Sequence, residues 1–251
     1  MKYTLNKKRL TKREVQELLA TNPPLDEELS KPFEWTWAHT GYVQKNKFYK
    51  LPDDKYLFVF DPKDISLSGR GDIYPKDIVL KMVKQTIRSK KDSEDGLSSS
   101  YDYWKRFSKN GVNLINKSAE LKKETSEKLS IPLDKLDYSY ESLDLISKAL
   151  HNLEVEFIRE NYMDNLVNYI GEVILRRVKG HWATKEKNLI FEETPYISID
   201  IKNVVYNPTN VIYSCFLSIE DINLRKETAN EVRSQSSRLA YEKHMSQFKL
   251  D

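Results

Sequence analysis

The clearest hydrophobic pattern in the chain precedes Gly180. Apolar residues recur there at three- and four-residue spacing: Met163, Leu166, Val167, Ile170, Val173, Ile174 and Val178. This spacing predicts a helix with one apolar face. The polar residues between them fall on its opposite face: Asn161, Asp164, Asn165, Asn168 and Glu172. Gly180 can end the helix in the left-handed conformation. Gly171 costs about 1 kcal/mol relative to alanine inside a helix, so we expect another backbone to pack against it.

A second helix is predicted just before this one. It begins near Ser139, and either Ser139 or Asp137 can cap it. Leu143, Ile146 and Leu150 supply its apolar side. Residues 131–165 contain eight acidic and three basic side chains, a net charge of −5. The acidic residues that we expect to face a protein partner are Asp137, Glu141, Asp144, Glu154, Glu156 and Asp164.

Strands dominate the prediction for the N-terminal part. Thr11 and Glu14 form a capping-box pattern that starts a short helix. Three stretches, FEWTWAHTGYVQ, KFYKL and KYLFVFD, are separated by turn residues and predict antiparallel strands. Trp35 and Trp37 are two residues apart and share a face of the first of these strands.

The rest of the chain alternates helices and strands. Pro75 opens a basic helix, and the Ser-rich, charged segment 92–101 is typical of a linker. After Trp182, the stretches LIFEE, YISIDIK and NVIYSCFLSI predict strands, and a polar helix follows from Ile222 to Phe248. We therefore predict an α+β protein with an N-terminal antiparallel β section with helices and a C-terminal helix pair packed on a small sheet. Its domains are residues 1–91 and 102–251, unless the two parts form one continuous domain.

Composition limits the class of protein. The 251 residues include 39% hydrophobic and 31% charged side chains and carry a net charge of +3, too small to indicate nucleic-acid binding. The start of the chain lacks the apolar core of a signal peptide, and no apolar run approaches the roughly 18 residues of a membrane span. We therefore expect a cytoplasmic protein that does not use a membrane. Cys215, the single cysteine, lies in an apolar run and is predicted to be a buried, unreactive thiol.

Two patterns could carry chemistry on nucleic acids. In YISIDIK, Asp200 and Lys202 lie on one face of a strand, and together with Glu172 and Glu192 they resemble in outline the acid-x-lysine core of metal-dependent nucleases. The section from Lys81 to Lys109 combines basic and aromatic residues, which can stack and neutralise a nucleic-acid strand. The simpler interpretations are a solvated strand face and an aromatic helix face packed on the core. No phosphate loop, nucleophile elbow or zinc motif is present in the sequence.

A family resemblance covers roughly residues 134–200. It rests on Leu136-Asp137-Tyr138-Ser139, Glu141-Ser142-Leu143, Tyr169-Ile170-Gly171-Glu172-Val173, Arg176-Arg177, Gly180-His181-Trp182 and Pro195-Tyr196. This succession resembles bacterial cytoplasmic proteins of unassigned function, some of which are similar to immunity proteins that accompany secreted toxins. His181 stands where that pattern has a second glycine. The resemblance implies an α+β domain without known catalysis that neutralises a toxin by binding.

The acidic residues allow a second, independent argument for protein binding, although a solvated helix face is the simpler interpretation of the charge alone. An acidic helix face can occlude the basic cleft of a toxin that attacks nucleic acids, and its charge speeds association. We therefore expect a non-enzymatic, immunity-like binding protein without a cofactor or metal. A nucleic-acid-binding or nuclease-like protein is the alternative.

Overall fold

The chain forms two compact units, residues 1–91 and 92–251. The computed structural model describes residues 9–37, 40–64, 66–184, 194–199, 201, 204–219 and 221–246, with the side chains of 242, 243, 245 and 246 left aside. The helices are α1 (Lys12–Leu19), α2 (Glu27–Ser30), α3 (Lys76–Glu94), α4 (Ser100–Phe107), α5 (Ser118–Leu129), α6 (Tyr140–Leu150), α7 (Val155–Leu175), α8 (Pro208–Leu217) and α9 (Leu224–Ser246). The strands are β1 (Leu25–Asp26), β2 (Glu34–Thr36), β3 (Val43–Lys45), β4 (Lys47–Leu51), β5 (Lys55–Val59), β6 (Gly71–Pro75), β7 (His181–Thr184), β8 (Pro195–Ser198) and β9 (Val205–Tyr206).

The first unit is built on an antiparallel sheet with strand order β1-β4-β5-β6. Alternating side chains of β5 enter two small cores, one on each face of the sheet. Tyr56 and Phe58 pack with Val79 of α3, and Leu57 packs with Val15 of α1. The capping box of Thr11 is confirmed. β2 and β3 form a separate two-stranded ribbon. The sequence prediction missed β6, which it treated as part of a loop and of the next helix.

The second unit is centred on α7. Its buried residues run almost without interruption from Ile158 to Ile174, on every face of the helix. The expectation of a polar outer face is therefore wrong. The amide nitrogens of Asn165 and Asn168 donate to the backbone carbonyls of Leu121 at 3.1 Å and Leu114 at 3.0 Å, respectively. Because these amides are hydrogen-bonded, α7 can bury its polar side at low cost.

The C-terminal part contains a small antiparallel sheet, β7-β8-β9, beside α8 and α9. The stretch NVIYSCFLSI forms α8 rather than a strand, with Asn207 as its cap and Pro208 at its first position. α7 ends at Leu175 and does not reach Gly180. Gly180 lies close to β8 instead, because a Cβ at this position would be 2.5 Å from the carbonyl oxygen of Ser198. The predicted strand LIFEE lies outside the described residues.

The predicted α+β class is confirmed, with an antiparallel N-terminal sheet, a helical middle and a small C-terminal sheet. Residues 92–101 contain the end of α3, and Asp92 there is buried. Cys215 is also buried, which raises the pKa of its thiol to about 12 and makes it a poor nucleophile, as predicted. None of the described helices is long and apolar enough to cross a membrane.

Candidate protein-binding surface

Ser139 organises the start of α6, where the predicted acidic surface begins. Its hydroxyl accepts the N–H of Ser142 at 3.1 Å, which confirms the predicted cap. The backbone N–H of Ser139 donates to Asp137 at 3.0 Å. Hydrogen bonds from the side chain and then the backbone of Ser139 lower the pKa of Asp137. Asp137 is exposed and remains ionised at neutral pH.

Glu141 and Asp144 lie on the exposed side of α6, but their charges are compensated within the unit. Arg225 of α9 places one guanidinium nitrogen 2.7 Å from Asp144 and another 3.3 Å from Glu141. These three side chains are at least two-fifths exposed, so the ion pairs contribute little stability. They do reduce the negative field on this half of the predicted surface.

Asp164 does not belong to the surface at all, because it is only 6% exposed. One carboxylate oxygen accepts the Ser108 hydroxyl at 2.6 Å. The other accepts the backbone N–H groups of Lys109 and Asn110, at 3.0 and 2.8 Å, and the side-chain amide of Asn110 at 2.8 Å. Asp164 therefore fixes the turn after α4, and we remove it from the predicted set of partner-binding residues.

The start of α7 retains the acidic character that the sequence predicted. Glu154 is the exposed N-cap residue, Glu156 is half-buried in the first turn, and Glu160 is exposed one turn later. Carboxylates at a helix N-terminus also stabilise the helix through its dipole. The negative charge here thus has a structural benefit as well as a possible use in recognition.

Phe157 lies in the middle of these carboxylates and is 48% exposed. Glu154 and Glu160 are three residues before and after it, so they share its side of the helix. Its ring packs edge-on against Tyr162, with the centroids 6.1 Å apart. Sequence reasoning missed Phe157, although its position off the apolar stripe of α7 was a usable signal.

Leu145 is a second apolar residue on the acidic surface. It is exposed on α6, next to Asp144 and four residues after Glu141. Single exposed leucines are common on protein surfaces. Its place among carboxylates on α6 makes it the exposed apolar residue of that part of the acidic surface.

The proposed nuclease-like set is only partly visible. Glu192, Asp200 and Lys202 lie outside the described residues. Glu172 uses one carboxylate oxygen to accept the indole N–H of Trp182 and the hydroxyl of Ser118, both at 2.9 Å. Within the described parts of the chain, no group of three or more His, Cys, Asp or Glu side chains could hold a metal ion.

Three of the four aromatic residues of α4, Tyr103, Trp104 and Phe107, pack in the core. Tyr103 and Trp104 are buried, so they cannot stack on nucleic-acid bases. The Tyr103 hydroxyl donates to Asp92, which also accepts a hydrogen bond of 2.7 Å from Arg159. The guanidinium of Arg159 lies 4.9 Å from the ring centre of Phe107. The basic and aromatic section from Lys81 to Lys109 is therefore not one continuous binding surface.

Comparison of the chain with protein-family models, with curated proteins and with solved structures finds no match. The described geometry places the strongest candidate for partner binding at the start of α7. We call the side chains of Glu154, Glu156, Phe157 and Glu160 the acidic–aromatic patch.

Proposed function

We propose that this protein is a non-enzymatic binding protein that neutralises a basic protein partner, in the manner of an immunity protein. The contact surface is the acidic–aromatic patch, together with Asp137 before α6 and with Glu141, Asp144 and Leu145 on α6. The observation that carries the proposal is the exposed ring of Phe157 between the carboxylates of Glu154 and Glu160.

An aromatic ring surrounded by charge has the composition of an interface anchor. A large ring that enters a pocket of the partner supplies much of the binding energy, because it loses few rotamers and buries a large apolar area. Carboxylates at the rim accelerate association with a basic surface and discriminate against acidic partners. This patch has both features on one rigid helix, whose inner side is held in the core.

The role in neutralisation follows from the charge of the surface. A toxin that attacks nucleic acids needs a basic cleft to hold the phosphates, and a carboxylate-rich helix end can occupy that cleft. The sequence resemblance to immunity-like proteins over residues 134–200 supports the same role. Glu141 and Asp144 contribute less to such a contact, because Arg225 partly compensates their charges.

The test is affinity capture from the native cells and their secreted proteins after nuclease treatment. The tagged wild-type chain is compared with the double variant Glu154→Lys/Phe157→Ser, both at exposed positions. We expect one stoichiometric basic protein with the wild type and at least a tenfold lower yield with the variant. Adding the wild-type chain should also abolish the activity of that protein.

The matched control is Glu120→Lys/Leu133→Ser, which makes the same changes of charge and polarity at exposed sites elsewhere in the second unit. It should capture the partner as the wild type does. Equal loss in both variants would show that charge alone, and not this patch, governs capture. Unchanged capture by Glu154→Lys/Phe157→Ser would contradict the proposal.

A further inference from the structure

A groove in the first unit lies between the β2–β3 ribbon and α3. Its volume is about 280 Å³, near the lower end of ligand sites and enough for one flat ring system. Phe33 and Trp35 line its aromatic part. The polar groups that line it come from both sides: Gln44, Asn46, Gln85, Thr86, Ser89 and Lys90. It shares no residue with the acidic–aromatic patch.

The aromatic side of the groove is anchored in the core. The Phe33 ring meets Phe48 and Phe58 edge-on, with centroids 5.1 and 5.5 Å apart. Trp35 is 54% exposed at the rim. Phe33 is fixed in the core and Trp35 is largely exposed beside it. A planar ligand can therefore stack on these two rings at little cost in conformational entropy.

Trp37 extends this platform along the ribbon. Its N–H donates to the Tyr42 carbonyl at 2.8 Å, so the pairing of the ribbon continues past β2, and Trp37 shares a face with Trp35. Its indole N–H donates to Gln44 at 3.2 Å, and its side chain is 47% exposed. Alternate residues on a strand are roughly 7 Å apart, a spacing that suits consecutive bases of an extended single strand.

The net charge of the first unit favours an anionic ligand. Residues 1–91 contain 19 basic and 12 acidic side chains, a net charge of +7, whereas residues 92–251 contain 22 basic and 26 acidic side chains, a net charge of −4. Between Asp77 and Asp92 the chain has five basic and no acidic residues. Lys81, Lys84, Arg88 and Lys91 recur at helical spacing on the side of α3 away from the groove, whereas Lys90 lines it.

Lys90 brings one of these charges to the groove itself. Its ammonium donates to the backbone carbonyl of Glu34 at 2.6 Å, which positions the charge without neutralising it. The Glu34 carboxylate lies 3.9 Å from the ammonium of Lys45. The groove thus has a cation at its edge and amides and hydroxyls inside, which can hydrogen-bond to base edges.

We propose that this groove binds single-stranded nucleic acid, with one base stacked on Trp35, a neighbouring base on Trp37 and a backbone phosphate at Lys90. Exposed aromatic rings beside positive charge form the usual platform for single strands. The positive charge favours nucleic acid over a neutral sugar chain, which could also stack on tryptophan. This inference does not depend on the partner-binding proposal, since its residues lie in the other unit.

The test is fluorescence anisotropy of the full chain with a labelled 12-nucleotide single strand, in DNA and RNA forms and at several salt concentrations. We expect Trp35→Ala to weaken binding about tenfold, because stacking on one aromatic ring is worth roughly that factor. Trp35→Phe should lose less, since a ring remains. Lys90→Gln should reduce the slope of log K against log salt by about 0.7.

The controls change the same residue types elsewhere. Tyr241→Ala removes an exposed aromatic residue from the second unit, and Lys55→Gln removes an exposed cation from β5; both should bind within about twofold of the wild type. Two results with nucleic acid would overturn the proposal: Trp35→Ala binding the single strand as tightly as the wild type does, or the matched duplex binding as tightly as the single strand. It is also overturned if a neutral oligosaccharide binds in a Trp35-dependent way while the single strand does not bind.

Discussion

The indole of Trp182 lies directly over Gly171 of α7. A Cβ at position 171 would be 2.0 Å from two carbon atoms of that ring, so only glycine leaves room for it. The indole N–H donates to Glu172, the next residue, at 2.9 Å. The expected close neighbour of Gly171 is thus an aromatic side chain of β7 rather than a backbone, and this contact ties the small sheet to α7.

Replacing Gly171 by alanine tests this contact. The variant gains up to about 1 kcal/mol of helix propensity. The displaced indole should cost more, so we expect a net loss of about 1 to 3 kcal/mol in the free energy of unfolding, measured with urea. In a Trp182→Ala background the same substitution should become neutral or favourable. An equal loss in both backgrounds would contradict the contact.

Asp164 provides the second prediction. Asp164→Ala leaves the backbone N–H groups of Lys109 and Asn110 without their acceptor, so we expect a loss of about 3 kcal/mol or more in the free energy of unfolding. Glu160→Ala, an exposed carboxylate on the same helix, is the control and should change stability by about 0.5 kcal/mol at most. If the two variants are equally stable, Asp164 does not hold the turn.

Local signals predicted the helix starts well. The caps at Thr11 and Ser139 depend on residues a few positions apart, and both are present. The strand predicted at NVIYSCFLSI was wrong because apolar β-branched residues suit a buried helix as well as a strand. Asn207 before Pro208 is the start signal that identifies this helix in the sequence.

Burial of the polar side of α7 could not be predicted from periodicity. Asn165 and Asn168 appear solvent-facing in the pattern, yet helices and turns distant in sequence cover them and accept their hydrogen bonds. The same covering removes Asp164 from the acidic surface and leaves Phe157 exposed. The local excess of negative charge can therefore be predicted from the sequence. The tertiary structure decides which of these acidic residues are accessible to solvent.

The third prediction concerns the buried ion pair of Asp92 and Arg159. Arg159→Met leaves the Asp92 carboxylate buried without its cation, so we expect a loss of about 3 to 5 kcal/mol in the free energy of unfolding. The triple variant Asp92→Leu/Tyr103→Phe/Arg159→Met removes the charges and the Tyr103 hydroxyl together. It should be clearly more stable than Arg159→Met alone, as measured by urea unfolding. A triple variant no more stable than Arg159→Met would show that the carboxylate left without its cation is not the cause of the loss.

Glu231 should make stability depend on pH. Burial raises the pKa of this carboxyl, partly offset by the N–H of Asn207, which donates to it at 2.8 Å. The folded chain therefore binds the proton more tightly than the unfolded chain. The free energy of unfolding falls as pH rises from the unfolded value, about 4.3, through the raised folded value.

The corresponding variant is Glu231→Gln, which keeps an oxygen acceptor for Asn207 but carries no charge. It should be more stable than the wild type above this pH window, and the difference should disappear below it. The comparison is made by thermal unfolding across pH, with the exposed Glu120→Gln as the control. A difference that is independent of pH would show that ionisation of Glu231 is not its cause.

The most direct test of the proposed function places a photoreactive benzoylphenylalanine at position 157 in the native cells. The same group at position 241, occupied by a tyrosine that is 61% exposed, is the control. We expect light to produce one covalent adduct with a basic protein at position 157 and none at position 241. Glu154→Lys in the same chain should suppress the adduct at position 157. Two results would contradict binding through the acidic–aromatic patch. One is an adduct at position 241 but not at position 157; the other is no adduct at position 157 although the tagged chain still captures the partner.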